Sequence, residues 1–143
     1  MGADVSRFVE AQESGGTYAS ALVELRAGEK RSHWMWFVFP QVSGLGRSPT
    51  AVHYGVDGLG EARAYLAHPV LGPRLVECCE ALLALDGSDP VAVLGGIDAV
   101  KLRSSMTLFA QAAGEGSDGP FRAVLEQYFA GEEDPATVAL LAG

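Results

Sequence analysis

Lysine is scarce in this chain: only Lys30 and Lys101 occur, and the other eight basic residues are arginines. Cysteine is equally scarce, because the only two, Cys78 and Cys79, are adjacent. Neighbours in sequence make a poor disulfide framework, so the pair predicts reduced thiols and a cytoplasmic location. Positive charge is also in deficit, since 18 acidic residues face ten lysines and arginines and the net charge is −8. A field of that sign predicts no general affinity for nucleic acids or anionic membranes.

Long apolar runs and strand signals are missing as well. No stretch approaches the roughly 20 apolar residues that cross a bilayer. The start lacks a basic region followed by an apolar stretch, so no signal peptide is expected. No Asn-Gly or Asp-Gly hairpin lies between alternating apolar residues. The 143 residues, 48% of them hydrophobic, predict a single helical domain over 1–143, with residues 1–3 and 143 frayed.

Helix signals are frequent. Ser48-Pro49, Asp89-Pro90 and Asp134-Pro135 each join a capping residue to a proline suited to the first helical position. Glycines such as Gly28 and Gly131 follow stretches with helical apolar periodicity, where a left-handed residue ends a helix. The pattern predicts an all-α, compact, multi-helical single domain of about eight to ten short helices. We predict helices over residues 4–13, 17–27, 30–39, 49–55, 58–67, 70–85, 90–95, 98–113, 120–130 and 135–142.

The segment from Lys30 to Gln41 joins a basic cluster to a run of aromatic residues. Lys30, Arg31 and His33 precede the stretch 34–39, which holds four of the twelve aromatic residues and fits a buried helix or a buried strand. We favour a buried helix. If it begins near Ser32, its free N–H groups and the positive end of its dipole would help the basic side chains to hold an anion. In the alternative, the aromatic residues form core, and Lys30 and Arg31 are solvated or pair with an acid such as Glu24 or Glu29.

The second candidate segment is the predicted helix 98–113. Lys101, Arg103 and Ser104 combine positive charge and hydroxyl groups, which suits oxyanion binding. Asp98 is expected to be the N-cap of this helix. The alternative is an amphipathic helix whose polar side faces water.

Weaker signals lie nearby. The loop Gly44-Leu45-Gly46 precedes a helix and, together with Gln41 and Arg47, would form a rim beside the first segment, although it has neither Walker nor dinucleotide spacing. The three histidines match no compact metal signature, so neither a metal nor a cofactor is expected. If the site is catalytic, His33 or Asp98 would act as the base.

Five stretches together resemble one family over nearly the whole chain. They are residues 7–12, 30–41, 44–46, 64–72 and 101–109, and the two that contain lysine are the most specific. The sequence resembles the bacterial domain-of-unknown-function family eighteen-ten, whose members are often mislabelled "calpastatin". The resemblance implies a compact, single-domain, multi-helical fold and implies no established activity.

Two functional hypotheses follow. In the first, an uncharacterised cytoplasmic protein binds a phosphate-containing small molecule, such as a nucleotide or an ADP-ribose-like compound, in one cleft. The expected cleft residues are Lys30, Arg31, His33, Trp34, Trp36, Gln41, Lys101, Arg103 and Ser104. In the alternative, the chain is a non-catalytic protein–protein interaction module, its partner unidentified, in which the Lys and Arg motifs are structural ion pairs. The alternative requires both lysine head groups to pair with carboxylates with no cavity beside them.

Overall fold

The computed structural model describes residues 4–143, and within that range the chain consists of helices and the loops between them, with no strand. The all-α fold class is therefore confirmed, while the predicted fraying of residues 1–3 lies outside the described residues. A 3-10 helix, Ser14–Gly16, separates the first two α-helices. The α-helices are α1 (Ser6–Glu13), α2 (Thr17–Ala27), α3 (Met35–Val38), α4 (Pro49–His53), α5 (Gly58–Ala67), α6 (Leu71–Leu83), α7 (Pro90–Leu94), α8 (Gly96–Ala113), α9 (Gly119–Phe129) and α10 (Pro135–Ala142).

The predicted capping residues begin three of these helices. Ser48 Oγ accepts from the Ala51 N–H at the start of α4, and Asp89 Oδ1 accepts from the Val91 N–H at the start of α7. The Asp134 carboxylate does the same for α10. In each case a side-chain oxygen satisfies a backbone donor that the first helical turn leaves unpaired, and the proline that follows needs no such partner.

The predicted helix over 30–39 is wrong for most of its length. Only α3 is helical there, and residues 30–34 are irregular. The backbone N–H groups of this stretch have partners elsewhere: Lys30 donates to Val93 O, and both Arg31 and Ser32 donate to the Glu24 carboxylate. Contacts distant in sequence therefore replace the local hydrogen bonds of a helix. No helix begins near Ser32, so no helical N-terminus supports an anion there.

Helix α8 lies at the centre of the molecule and packs against α5, α7, α9 and α10. Ten of its 18 residues are buried, including Leu102, Met106 and Phe109 on the predicted apolar face. Ser104 and Thr107 on the other side are buried too, because α10 covers them. The alternative, in which the polar side of this helix faces water, therefore does not hold at Ser104 and Thr107.

A single cluster of buried apolar residues extends from Val5 to Tyr128 and connects the helices. None of the helices within residues 4–143 has both the length and the apolar character that crossing a bilayer requires.

Candidate functional site

The carboxylate of Glu24, in the last turn of α2, lies beside residues 31–34, where we expected an external anion to bind. Its carboxylate accepts hydrogen bonds from Arg31 N (2.7 Å), Ser32 N (3.0 Å) and Trp34 Nε1 (2.9 Å). Ser32 Oγ donates a fourth, at 2.6 Å. Burial raises the pKa of Glu24, but these hydrogen bonds outweigh it and lower the pKa from 4.5 to about 2. Residues 31–34 therefore fold around the negative charge of the chain's own Glu24.

Lys30 and Lys101 meet on one carboxylate. Lys30 Nζ lies 3.0 Å from Asp98 Oδ2, and Lys101 Nζ lies 3.3 Å from Asp98 Oδ1. The side chains are 9% and 17% exposed for Lys30 and Lys101, and 17% for Asp98, so water screens the group only weakly. The predicted convergence of the two lysines is therefore present. Because two cations share a single anion, one positive charge of the triad is not neutralised.

Asp98 is not the N-cap of α8. That helix begins at Gly96, and its N-cap, Gly95, makes no side-chain capping bond. Asp98 instead lies in the first turn, where its carboxylate holds the two lysines. The prediction of a cap is wrong because a contact from outside the helix, made by Lys30, determines where this carboxylate points.

The two tryptophans have different roles. Trp34 is fully buried, and its indole N–H is bound to Glu24, which makes it part of the core. Trp36 is half-buried, and Lys101 Nζ lies 3.7 Å from the centroid of its ring. An ammonium at this distance from an indole face is attracted by the π electrons. Of the two indoles, Trp36 is the one placed to contact a ligand.

Two adjoining cavities lie beside this triad. The smaller has a volume of about 60 Å³ and the larger about 350 Å³. They share Trp36 and Lys101. The smaller is lined by Lys30, His33, Trp34, Met35, Trp36, Asp98 and Lys101. The larger is mostly apolar and is lined by Trp36, Gln41, Val42, Leu45, Gly46, Ala51, Tyr54, Gly55, Ile97, Val100 and Lys101.

The wall of the larger cavity opposite α8 is held by backbone contacts and by one arginine. Residues 42–56 leave the core and return to it through a parallel bridge between Val42 and Val56. Arg7 of α1 donates to His53 O at 2.8 Å and to Gly55 O at 2.9 Å, and it also pairs with Glu61 at 2.7 Å. Arg7 thereby fixes the end of α4 against α1 and α5.

Six of the nine predicted site residues line these cavities. Lys30, Trp34, Trp36 and Lys101 are described above, His33 is exposed at the smaller cavity, and Gln41 lines the larger one.

The structure does not bring the other three into the cleft. The Arg31 guanidinium points outward, 73% exposed, and pairs with Glu29 at 3.2 Å. Arg103 and Ser104 face the segment that precedes and begins α10. Arg103 donates to Glu132 O (3.1 Å) and Glu133 O (2.8 Å). Ser104 Oγ lies 2.7 Å from Thr137 Oγ1.

The second lysine motif therefore divides into two parts. Lys101 faces the cavities, whereas Arg103, Ser104 and Thr107 hold α10 against α8. Thr107 Oγ1 accepts from Asp134 N at 2.9 Å, immediately before α10 begins. Lys101 and Arg103 are two positions apart on the helix and therefore point to different sides, so one motif can serve two neighbours.

Leu45 and Gly46 of the predicted rim line the larger cavity, but sequence reasoning missed its other apolar or aromatic residues: Val42, Ala51, Tyr54, Ile97 and Val100. No local pattern distinguishes them from core or surface residues. The pairing of Asp98 with Lys101 was detectable, because an acid three residues before a lysine on a helix forms an ion pair. The pairing of Lys30 with α8 had no local signal.

Comparisons with protein families and with solved structures identify proteins that are similar to this chain. A family described as "Protein of unknown function (DUF1810)" matches residues 2–141. Among solved structures, the chain is similar to the conserved hypothetical protein Rv1873 from Mycobacterium tuberculosis, with 52% identity and a TM-score of 0.92. That match covers 98% of this chain and 97% of the other. No curated protein matches the chain.

Proposed function

The chain belongs to the DUF1810 family of proteins of unknown function, and we propose that it binds a small molecule that carries a phosphate group. The observation that carries this proposal is the position of Lys101. Its ammonium contacts Asp98 and the ring of Trp36, and the residue lines both cavities. A charged donor at the junction of a small polar cavity and a larger apolar one suits a ligand with an acidic end and a ring.

The charge of the triad supports an anionic group at the smaller cavity. Lys30 and Lys101 together exceed Asp98 by one positive charge, and Lys30 uses a further donor on Ser32 O at 2.6 Å. The volume of about 60 Å³ compares with about 30 Å³ for one water in the liquid, so it accepts a compact group only. Oxygen atoms of a phosphate there would receive charge-assisted hydrogen bonds from Lys101.

The larger cavity supports a planar ring as the other end of the ligand. Its volume of about 350 Å³ is at the lower end of the range of small-molecule sites, about 300–1,000 Å³. Trp36 and Tyr54 offer aromatic surface, and Gln41 offers an amide for polar ring atoms. A mononucleotide-sized compound fits this volume better than an ADP-ribose-like one, of which only a part would be enclosed.

A thermal-shift titration tests the proposal with adenosine monophosphate, adenosine and inorganic phosphate as probes. We expect the nucleotide to raise Tm more than either part alone, because ring and phosphate are bound together. At a concentration of 100 Kd, a ligand stabilises the folded state by about 2.7 kcal/mol. Failure of every mononucleotide to raise Tm would refute a nucleotide ligand.

Three variants locate the binding. Lys101→Gln should weaken nucleotide binding by at least about tenfold, because a hydrogen bond from a charged group contributes about 1.5–3 kcal/mol. Trp36→Leu should reduce the contribution of the ring and leave that of inorganic phosphate. Arg26→Gln is the matched control, since it removes the same charge from an exposed residue 3.9 Å from Glu77. Each shift is measured against the ligand-free form of the same variant.

A second candidate function, protein–protein interaction, is favoured by the rim of the larger cavity. Ile97 is 78% exposed and Val100 is 63% exposed, and exposed apolar side chains beside a cavity are typical of docking surfaces. Both lysines pair with a carboxylate, as this alternative requires, yet cavities adjoin them. If the chain is an interaction module, no phosphate compound raises Tm. Lys101→Gln then lowers Tm in the absence of ligand and has no effect on any ligand-dependent shift.

A further inference from the structure

A groove of about 760 Å³ lies on another part of the molecule, between α5, α6 and the junction of α8 with α9. It shares no residue with the candidate site described above. Its walls are apolar except for Arg63, Glu80 and Ser117. The lining residues are Arg63, Leu66, Ala67, Gly72, Pro73, Val76, Glu80, Ala112, Ala113, Ser117 and Phe121.

The turn between α5 and α6 fixes one wall of this groove. His68 Nδ1 accepts from Val70 N (3.1 Å) and Leu71 N (3.3 Å), at the start of α6. Gly72 is buried, and a Cβ at this position would lie 2.1 Å from Leu66 O. Only glycine allows the first turn of α6 to lie this close to the end of α5. The stretch 64–72, singled out in the sequence, thus builds the groove.

Arg63 is unusual among the basic residues of this acidic chain. Within residues 4–143, eight of the ten lysines and arginines have a carboxylate oxygen within 4.0 Å, and the exceptions are Arg47 and Arg63. The Nε of Arg63 donates to Ala112 O at 3.3 Å, and Ala112 also lines the groove. The terminal nitrogens of Arg63 make no hydrogen bond to any residue in the described range.

We propose that this groove binds an aliphatic carboxylate. Arg63 is exposed at this groove, and the two terminal nitrogens of its guanidinium form a fork that matches the two oxygens of a carboxylate. The aliphatic part would lie against Leu66, Val76 and Phe121 and lose its contact with water. Glu80 on the same groove opposes a doubly charged head such as a phosphate more than a singly charged carboxylate. This site does not depend on the function proposed for the lysine cavities.

An NMR titration of the full chain with octanoate tests the proposal, with 1-octanol as the uncharged partner of equal length. We expect saturable binding with a Kd below about 1 mM. Amide shifts should centre on Leu66, Val76 and Phe121, and octanol should bind at least about tenfold more weakly, because it lacks the second oxygen and the charge. Equal binding of octanol, or shifts centred on Trp36 and Lys101, would overturn the proposal.

Variants separate this site from general apolar adsorption. Arg63→Gln should weaken octanoate binding at least about tenfold and leave octanol binding unchanged. Ala67→Phe, at the exposed rim of the groove, should weaken both by filling space. Arg26→Gln and Lys101→Gln should leave octanoate binding at the wild-type level. Octanoate binding to Arg63→Gln at wild-type strength would contradict the assignment, whatever the outcome at the lysine cavities.

Discussion

Glu24 receives four hydrogen bonds from residues 31–34, and these bonds hold the irregular segment that carries Lys30 and Trp34. Two of the four donors are the backbone N–H groups of Arg31 and Ser32, so one carboxylate replaces two hydrogen bonds of the kind that a helix would supply. The ionised form of Glu24 is therefore part of the folded state. Its effect on stability must depend on pH.

Glu24→Gln should lower the free energy of unfolding by about 1–3 kcal/mol at pH 7, because it places an NH₂ group against hydrogen-bond donors. The pKa of Glu24 is 4.5 in its ordinary state and about 2 in the fold, so the unfolded chain binds more protons on acidification. The stabilisation is complete above pH 4.5 and is lost as the pH falls towards 2. The difference between wild type and variant, measured by urea denaturation, should shrink over that interval.

The control for this prediction is Glu29→Gln, which removes the same charge from a side chain that is 61% exposed and bound to Arg31 on the surface. It should change the free energy of unfolding by less than about 0.5 kcal/mol. A loss in Glu24→Gln that stays constant down to pH 2 would contradict the role assigned to the carboxylate.

Asp98 is the other carboxylate on which the basic residues depend, and substitutions in its triad should be unequal. Asp98→Asn leaves two poorly exposed ammonium groups without a carboxylate partner and should cost about 2–4 kcal/mol. Lys101→Gln should cost less, since Asp98 still pairs with Lys30. Urea denaturation at pH 7 measures both. Equal losses would show that the shared carboxylate is not the centre of the triad.

At the scale of helices, local sequence predicted most of the fold and failed at one segment. The predicted ranges 17–27, 58–67 and 135–142 coincide with α2, α5 and α10, because caps, prolines and glycines act within one turn. The range 30–39 failed because Glu24, a residue of another helix, binds its backbone. The periodicity of apolar residues indicates which side of a segment is buried, but it does not show that a carboxylate from another helix binds the backbone of that segment.

The candidate site was predictable to a similar degree. Lys30, Trp36 and Lys101 belong to the two segments of unusual composition, and these three residues do come together. Arg103 and Ser104 were grouped with Lys101 because they are neighbours in sequence, but α8 is covered on several sides and they contact α10 instead. The neighbour that each face of a central helix meets depends on the tertiary arrangement.

Gly72 is the residue through which the packing of α5 against α6 is most easily tested. Gly72→Ala should lower the free energy of unfolding by at least about 2 kcal/mol, because its Cβ would meet the backbone oxygen of Leu66 at 2.1 Å. Gly60→Ala is the matched control within α5, where a Cβ meets nothing within 4 Å. That variant should stabilise the protein by about 0.5–1 kcal/mol. The same sign for both substitutions would contradict this account.

At the scale of the whole molecule, one buried apolar cluster connects α1 with α9. This continuity is that of a single domain within the described residues 4–143, because separate domains have separate cores. We expect one cooperative transition in calorimetry, with equal van't Hoff and calorimetric enthalpies. At about 0.7 kcal/mol per residue near 60 °C, the enthalpy for 143 residues is about 100 kcal/mol. Two resolved transitions would show that the cluster is not one folding unit.

The bridge between Val42 and Val56 closes the intervening residues into an excursion whose two ends are joined at its base. Arg7 binds the carbonyl groups of His53 and Gly55, where the backbone returns to the core. Extra residues inserted at the exposed tip near Arg47 would therefore extend the excursion outward without stretching the connection to the core. An insertion at this tip would therefore deepen the larger cavity and leave the arrangement of the helices unchanged.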